Sequence, residues 1–162
     1  MKARMRPDLT TRPLFELRVE AMNPTTPGEM GPNGMRVFDS VARGRFDGER
    51  LRGEVVAGSG DWRRVRPDGG MDVDARVILK TDDGAVIHMT YSGRIAIPPA
   101  LLAQARDAER RHLIDPDAYY MRTAPTFETG AARYAWLNDV VAVARGRLTE
   151  GGGLAYEVFE VL

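Results

Sequence analysis

Strict alternation of apolar and polar residues in several parts of the chain predicts β-strands. Residues 15–21 (FELRVEA) and residues 72–80 (DVDARVILK) both follow a period of two, which is typical of a strand with one buried face. The turn at residues 82–84 (DDG) leads into a further apolar run at residues 85–91, so a β-hairpin is predicted here. Further strand candidates, rich in Val, Phe and Tyr, are residues 35–46, 51–56, 119–127, 140–148 and 154–162.

One segment has the composition of a helix. Residues 99–113 (PALLAQARDAERRHL) are mostly good helix formers; Pro99 suits the first helical position, and the pair at residues 115–116 ends the run. A doubly wound fold would need helices alternating with the strands, and they are absent. The pattern therefore predicts an all-β fold, in which roughly eight to ten antiparallel strands and one short helix form a closed barrel.

Loop signals punctuate the chain without dividing it into separate domains. Residues 23–34 are dense in Pro, Gly, Asn and Thr, which is the composition of a loop. The length of 162 residues fits one domain. We expect a flexible N-terminal tail at residues 1–12 and a single β-barrel domain at residues 13–162.

Charge balance and residue composition argue against several classes of binding partner and cofactor. The chain has 23 Lys and Arg against 23 Asp and Glu, and this balance argues against nucleic-acid binding and against a polybasic membrane anchor. The sequence has neither a signal peptide nor a long apolar span, so the cytoplasm is the expected location. Cysteine is absent, only two histidines occur, and no nucleotide-binding or zinc-protease motif is found. No cofactor or metal is therefore expected, and a homodimer is compatible with a barrel whose rim strands pair.

Several spaced blocks resemble the family of proteins of unknown function designated DUF3237, whose members are also called UPF0311 proteins. The blocks are RLRGEVVAGSGDWRRVRPDG (50–69), DVDARVILKTDDGAVI (72–87) and YYMRTAPTFETGAARYAWLN (119–138), with PLFELRVE (13–20) and YEVFEVL (156–162) at the two ends. The resemblance implies a calycin-like antiparallel barrel with one short helix and an interior cavity. It also implies a protein that handles small molecules, since some members occur in aromatic or secondary metabolism.

The turn at residues 58–62 (GSGDW) holds the first candidate site residues. Asp61 can act as a general acid or base, and Trp62 beside it provides an apolar setting that raises a carboxyl pKa and can stack on a flat substrate. The alternative is a structural turn in which Asp61 caps backbone donors and Trp62 packs at the barrel rim.

The predicted hairpin carries three more candidates. If Arg76 points inward it can clamp a substrate carboxylate, whereas if it points outward it forms a surface ion pair with Asp74. The apolar residues that alternate with it favour the outward orientation. Tyr91 lies on an apolar face and is either core or a pocket phenol that donates a proton, and His88 on the other face is more simply a structural residue.

The 119–138 block contributes the remaining candidates. Tyr120 and Arg122 share a strand face and can hold an anion together, while Glu128 can serve as a base near the mouth of the barrel or simply pair with Arg122. Trp136 and Asn138 have matching strand parity if the following strand has already begun at these positions. They can form a stacking wall and a hydrogen-bond donor, or an aromatic plug.

These residue types suggest a cofactor-independent lyase or isomerase. The reaction would be a decarboxylation, an elimination or a proton shift on a small aromatic or carboxylate-bearing substrate in the barrel cavity. An arginine would anchor the carboxylate, a tryptophan would flank the ring, and a carboxyl or phenol would move the proton. The alternatives are a non-catalytic small-molecule binding protein and an assembly protein whose barrel is fully plugged.

Overall fold

The computed structural model describes residues 8–162, and its strands close into an antiparallel barrel. The strands are β1 (Thr11–Thr25), β2 (Met35–Arg36), β3 (Phe38–Asp47), β4 (Arg52–Val55), β5 (Gly60–Asp61), β6 (Arg64–Val65), β7 (Met71–Thr81), β8 (Val86–Ala96), β9 (Tyr120–Glu128), β10 (Ala142–Leu148) and β11 (Leu154–Val161). The helix is α1 (Leu102–Arg106), and short 3₁₀ turns span Pro99–Leu101, Arg111–Leu113, Pro116–Ala118, Ala132–Asp139 and Glu150–Gly152.

The barrel closes through the pairing of β7 with β8. Around it the order is β7, β8, β9, β10, β11, β1, β3 and then β4 with β5, which together fill one position between β3 and β7. Every pairing is antiparallel, and the short strands β2 and β6 extend one rim. The predicted all-β barrel is confirmed, and so is the hairpin, in which Lys80 pairs with Val86.

The predicted helix over residues 99–113 is wrong in its length. Only residues 102–106 are α-helical, and the backbone becomes extended at Asp107. The Asp107 carboxylate accepts hydrogen bonds from the backbone N–H groups of Glu109 and Arg110, at 2.9 and 3.3 Å. Because an Asp side chain that bonds nearby backbone donors competes with the helical ladder, the segment continues as 3₁₀ turns.

Two further boundaries differ from the sequence prediction. The 35–46 candidate is split into β2 and β3, because β2 pairs with β6 whereas β3 pairs with β1 and β5. The predicted tail at residues 1–12 lies mostly outside the described residues, and Thr11 and Arg12 already belong to β1. Within residues 8–162 no helix has the length and apolarity needed to cross a membrane.

Aromatic side chains fill one end of the barrel. Phe15 packs edge-on against Phe46 and Phe127, with ring centroids 5.5 and 6.1 Å apart. The 3₁₀ segment Ala132–Asp139 lies over the same end, where the Tyr134 hydroxyl donates to the Asp83 carboxylate at 3.0 Å. Because this end is packed solid, any ligand site has to lie towards the other end.

Candidate functional site

A cavity of about 480 Å³ occupies the opposite end of the barrel. Its walls are largely Val, Met, Ile and Leu side chains, and a few polar residues face it. The polar lining residues that carry the argument are Asp39, Asp61, Arg63, Tyr91, Arg111 and Tyr156. Apolar walls with a few placed polar groups are typical of small-molecule sites, and the volume lies within their usual range.

A break between β4 and β5 brings Asp61 into this cavity. The chain leaves the β3–β7 position after Val56 and returns at Gly60, and the fully buried Ser59 bridges the gap. The Ser59 hydroxyl donates to the Val56 carbonyl at 2.7 Å and accepts from the Ile78 N–H at 2.9 Å. These two hydrogen bonds satisfy backbone groups that the break would otherwise leave unpaired. Pairing with β3 and β7 can therefore resume at Gly60 and Asp61.

Cross-strand pairing places Asp61 level with Asp39 and Tyr91 in the sheet. Asp61 pairs with Asp39 on one side and with Ala75 on the other, and Ala75 pairs with Tyr91. The side chains of directly paired residues lie on the same face of a sheet. Since Ala75 is small and fully buried, it leaves room between Asp61 and Tyr91 on the inner face.

Burial raises the pKa of the Asp61 carboxyl to about 6, and the nearby Asp39 charge acts in the same direction. Two features oppose the rise: the Asp74 N–H donates to Asp61 Oδ1 at 2.9 Å, and the Arg63 guanidinium lies nearby. A carboxyl that titrates near neutrality in an apolar cavity can give and take a proton under physiological conditions.

The Asp39 carboxylate is buried and forms an ion pair with Arg63. The guanidinium is held further by a contact between its Nη1 atom and the Met71 sulfur at 3.6 Å. Because the two charges offset each other, Asp39 is a partner for Arg63 rather than a second free acid. The pair fixes the positive charge that faces Asp61.

Two phenols complete the polar lining. The rings of Tyr91 and Tyr156 come from strands on opposite sides of the cavity, with centroids 5.7 Å apart. Burial raises the pKa of both hydroxyls well above the ordinary value. Both are therefore neutral hydrogen-bond donors at physiological pH, suited to stabilise an oxyanion beside Asp61.

Of the residues singled out from the sequence, Asp61 and Tyr91 line the cavity together. Trp62 faces away from it and packs on Phe38, with ring centroids 4.6 Å apart. Arg76 points outward, as the alternation favoured, and pairs with Asp74 at 3.1 Å. A carboxylate clamp at Arg76 therefore has no access to the cavity.

The candidates on β9 lie on the outer wall of the barrel. The Arg122 guanidinium lies over the exposed Tyr120 ring, 5.2 Å from its centroid, and donates to the Met121 carbonyl. Glu128 is 81% exposed and bonds His88 Nδ1 at 3.1 Å, so the alternative pairing with Arg122 is not formed. None of these residues lines the cavity.

Trp136 and Asn138 lie at the packed end, and the strand parity expected for them is wrong because both belong to the 3₁₀ segment. The Arg50 guanidinium stacks on Trp136 at 4.1 Å from the ring centroid. Asn138 closes a loop by accepting from the Thr129 N–H at 2.9 Å and donating to the Thr129 carbonyl at 3.0 Å. These contacts match the plug interpretation.

Five polar lining residues were not singled out from the sequence: Asp39, Arg63, Arg106, Arg111 and Tyr156. Asp39 carried a usable signal, since it shares strand parity with the apolar Val37 and Val41. Arg63 lies in an irregular segment and Arg111 begins a short 3₁₀ turn, so the period of a strand gives no orientation for either. Among residues 8–162 no group of three or more His, Asp or Glu side chains is arranged to hold a metal ion.

Fold and cavity together define a small antiparallel β-barrel with polar groups inside one end. The chain belongs to the DUF3237 family, described as a protein of unknown function, whose model matches residues 9–161. A UPF0311 protein of Clostridium acetobutylicum is 32% identical over 138 residues, which cover 85% of each chain. A UPF0311 protein of Rhodopseudomonas palustris is 34% identical over 139 residues, covering 86% of this chain and 88% of that one.

Solved structures share the architecture. The crystal structure of a conserved protein of unknown function from Rhodopseudomonas palustris has a TM-score of 0.86 at 30% identity, covering 97% of this chain and 100% of that one. A beta-barrel like protein from Acinetobacter baumannii has a TM-score of 0.79 at 28% identity, with 98% and 99% covered. A structure described as an enzyme from Penicillium herquei has a TM-score of 0.61 at 20% identity, with 99% and 100% covered, so it shares the fold alone.

Proposed function

We propose that the protein is a cofactor-independent isomerase or lyase that moves a proton on a small molecule held in the barrel cavity, with Asp61 as the base. The observation that carries the proposal is a carboxyl with a pKa of about 6 on the wall of a cavity that is lined mainly by apolar side chains. Structural carboxylates are generally paired or solvated, whereas acids with a raised pKa inside a cleft cluster at catalytic sites.

The proposed step uses only groups of this chain. The Asp61 carboxylate removes a proton from a substrate carbon next to a carbonyl, and the electron pair moves to the carbonyl oxygen. The Tyr91 hydroxyl, with Tyr156 as a second donor, stabilises the resulting oxyanion. When the electron pair returns through a conjugated double bond of the substrate, protonated Asp61 delivers the proton to the far carbon of that bond, which is an isomerisation. Alternatively, the electron pair expels a group on the neighbouring carbon, which takes the proton as it leaves.

The fold is compatible with catalysis. The Penicillium herquei protein that shares it is described as an enzyme, and the proposal extends that description to this chain. The apolar walls provide a medium in which a hydrogen bond from a neutral phenol to an oxyanion is stronger than in water.

A non-catalytic small-molecule binding protein is the second candidate. The predominance of apolar side chains around the cavity favours it, since carriers need little more than a dry, shaped space. The two candidates differ in what they require of Asp61. An enzyme needs the Asp61 carboxyl to transfer a proton, whereas a carrier needs only a side chain of that size on the cavity wall.

Proton NMR in deuterium oxide tests the proposal with a panel of small aromatic and phenylpropanoid-type carbonyl compounds. We expect protein-dependent deuterium incorporation or loss of a fragment, slowed by about 100-fold or more in Asp61→Asn, because a general base contributes about 10²–10⁴-fold. Asp74→Asn is the matched control, since that carboxylate lies nearby on the outer face. An unchanged rate in Asp61→Asn would overturn the role of Asp61. Broadened ligand signals without any exchange would favour the binding protein.

A further inference from the structure

We infer that Arg111 is an anion anchor, and that the small molecule taken up by the cavity is a monocarboxylate with an apolar body. The inference rests on the proposed function only in that it concerns the same cavity. It assigns a substrate class and a binding residue, whereas the proposed function assigns the chemistry.

Arg111 belongs to the segment that covers the cavity end of the barrel. This segment, residues 97–119, is defined here as the cap; its side chains Leu102, Ala105, Arg106 and Arg111 line the cavity. The cap is fixed at two points: the Leu148 N–H donates to the Tyr119 hydroxyl at 2.8 Å, and the Gly151 N–H donates to the Ala108 carbonyl at 2.9 Å. Arg111 is therefore presented to the cavity by a tethered element.

The Arg111 guanidinium has a buried N–H group without a hydrogen-bond acceptor in the described part of the chain. Its Nε atom is buried and has no hydrogen-bond partner within residues 8–162, the single side-chain atom in that part of the chain for which this holds. In the same residues no carboxylate lies within salt-bridge distance of Arg111, whereas Arg63 on the cavity wall is paired with Asp39. Leaving a buried donor of a charged group unsatisfied is costly, so such a group calls for a specific partner.

The electrostatic surroundings of Arg111 act in the same direction. Burial lowers the pKa of its guanidinium and the neighbouring positive charge of Arg63 adds to that effect, whereas Tyr119 opposes it. A guanidinium that is buried beside another cation is stabilised by a bound anion. The group stays charged nonetheless, because arginine is not deprotonated in proteins.

The pairing of charges around the cavity gives the charge of the ligand. Asp39 and Arg63 offset each other, and within the described residues no ion pair joins Arg111 to Asp61, the proposed base. Arg111 and Arg106 remain, and neither forms an ion pair within the described part of the chain. Arg106 is exposed at the mouth, so one unpaired guanidinium faces the interior of the cavity, which matches one carboxylate. Apolar walls around the rest of the cavity match an apolar body.

The test uses a non-reacting pair of probes, 2-naphthoate and the neutral 2-naphthamide, measured by isothermal titration calorimetry. We expect the acid to bind the wild-type protein at least about tenfold more tightly than the amide, since a charge-assisted hydrogen bond contributes at least that much. Arg111→Ala should weaken binding of the acid by about tenfold or more and leave binding of the amide unchanged. Arg111→Lys keeps the charge and should fall between the two.

Arg110→Ala is the matched control, because Arg110 precedes Arg111 in the same cap but is exposed and does not line the cavity. Thermal unfolding of each variant establishes that the cap remains folded. Equal affinity for acid and amide, undiminished binding in Arg111→Ala, or no binding of the acid by the wild-type protein would each overturn the inference. Asp61→Asn should still bind the acid, so failure of the proposed chemistry is distinguishable from failure of the anchor.

Discussion

At the scale of single residues, the surroundings of a side chain decide its role more than its type does. Asp61 and Asp74 lie on neighbouring strands, and the Asp74 N–H donates to the Asp61 carboxyl. Asp61 nevertheless lines the cavity, while the Asp74 carboxylate pairs with Arg76 on the outer face. Sequence could single out Asp61 because it lies beside glycines and a tryptophan. Sequence could not supply its pKa, which depends on burial and on Asp39 from a distant strand.

The raised pKa of Asp61 predicts a pH-dependent cost in stability. The pKa rises from 3.8 in the unfolded chain to about 6 in the barrel, so the native state holds this proton more tightly. Its stabilising contribution is complete below pH 3.8 and is lost as the pH rises through about 6. At about pH 7.5, Asp61→Asn should therefore be more stable than the wild type by up to about 3 kcal/mol, at 1.36 kcal/mol per pKa unit.

Urea unfolding of both proteins across the pH range measures this difference. The amide oxygen can still accept from the Asp74 N–H, so the substitution removes the charge while keeping that hydrogen bond. The advantage of the variant should shrink as the pH falls below 6 and vanish near 3.8. A difference that is constant across this range would show that the Asp61 pKa is not raised.

At the scale of elements, local patterns predicted the strands and failed where a side chain overrode them. Alternation identified the β7–β8 hairpin and the orientation of Arg76, because both depend only on the period of a strand. The helix over residues 99–113 was overestimated, because the Asp107 carboxylate bonds nearby backbone donors and ends it. The cap that results could not be predicted, since its contacts with β10 link residues distant in sequence.

The tether between the cap and β10 gives a prediction about stability. Tyr119→Phe leaves the buried Leu148 N–H without its acceptor, and an unsatisfied buried donor costs about 1–3 kcal/mol. Tyr120→Phe is the matched control, since that residue is 53% exposed, and substitutions at exposed positions change stability by less than about 0.5 kcal/mol. Chemical denaturation of the two variants compares them directly. Equal stabilities would mean that the tether does not hold the cap.

At the scale of the whole molecule, the barrel has one end packed with aromatic side chains and one end that holds a cavity. Phe15, Phe46 and Phe127 pack one end solid, while the other end holds the cavity and its polar groups. The sequence predicted a closed barrel because strands without alternating helices need to remove their edges. It could not show which end is packed, because that depends on which loops fold over each rim. Hence Trp136 and Asn138, singled out as site residues, lie at the packed end.

The proposed chemistry requires a carboxyl in the barrel that titrates near neutrality, and a ¹³C NMR titration of the Asp61 side chain measures this pKa. The Asp61 carboxyl carbon, assigned by comparison with Asp61→Asn, should titrate with a pKa of about 6 in the folded protein. Titration near the ordinary value of 3.8 would contradict the account, because Asp61 would then be a permanently ionised carboxylate with little power to exchange protons near neutral pH.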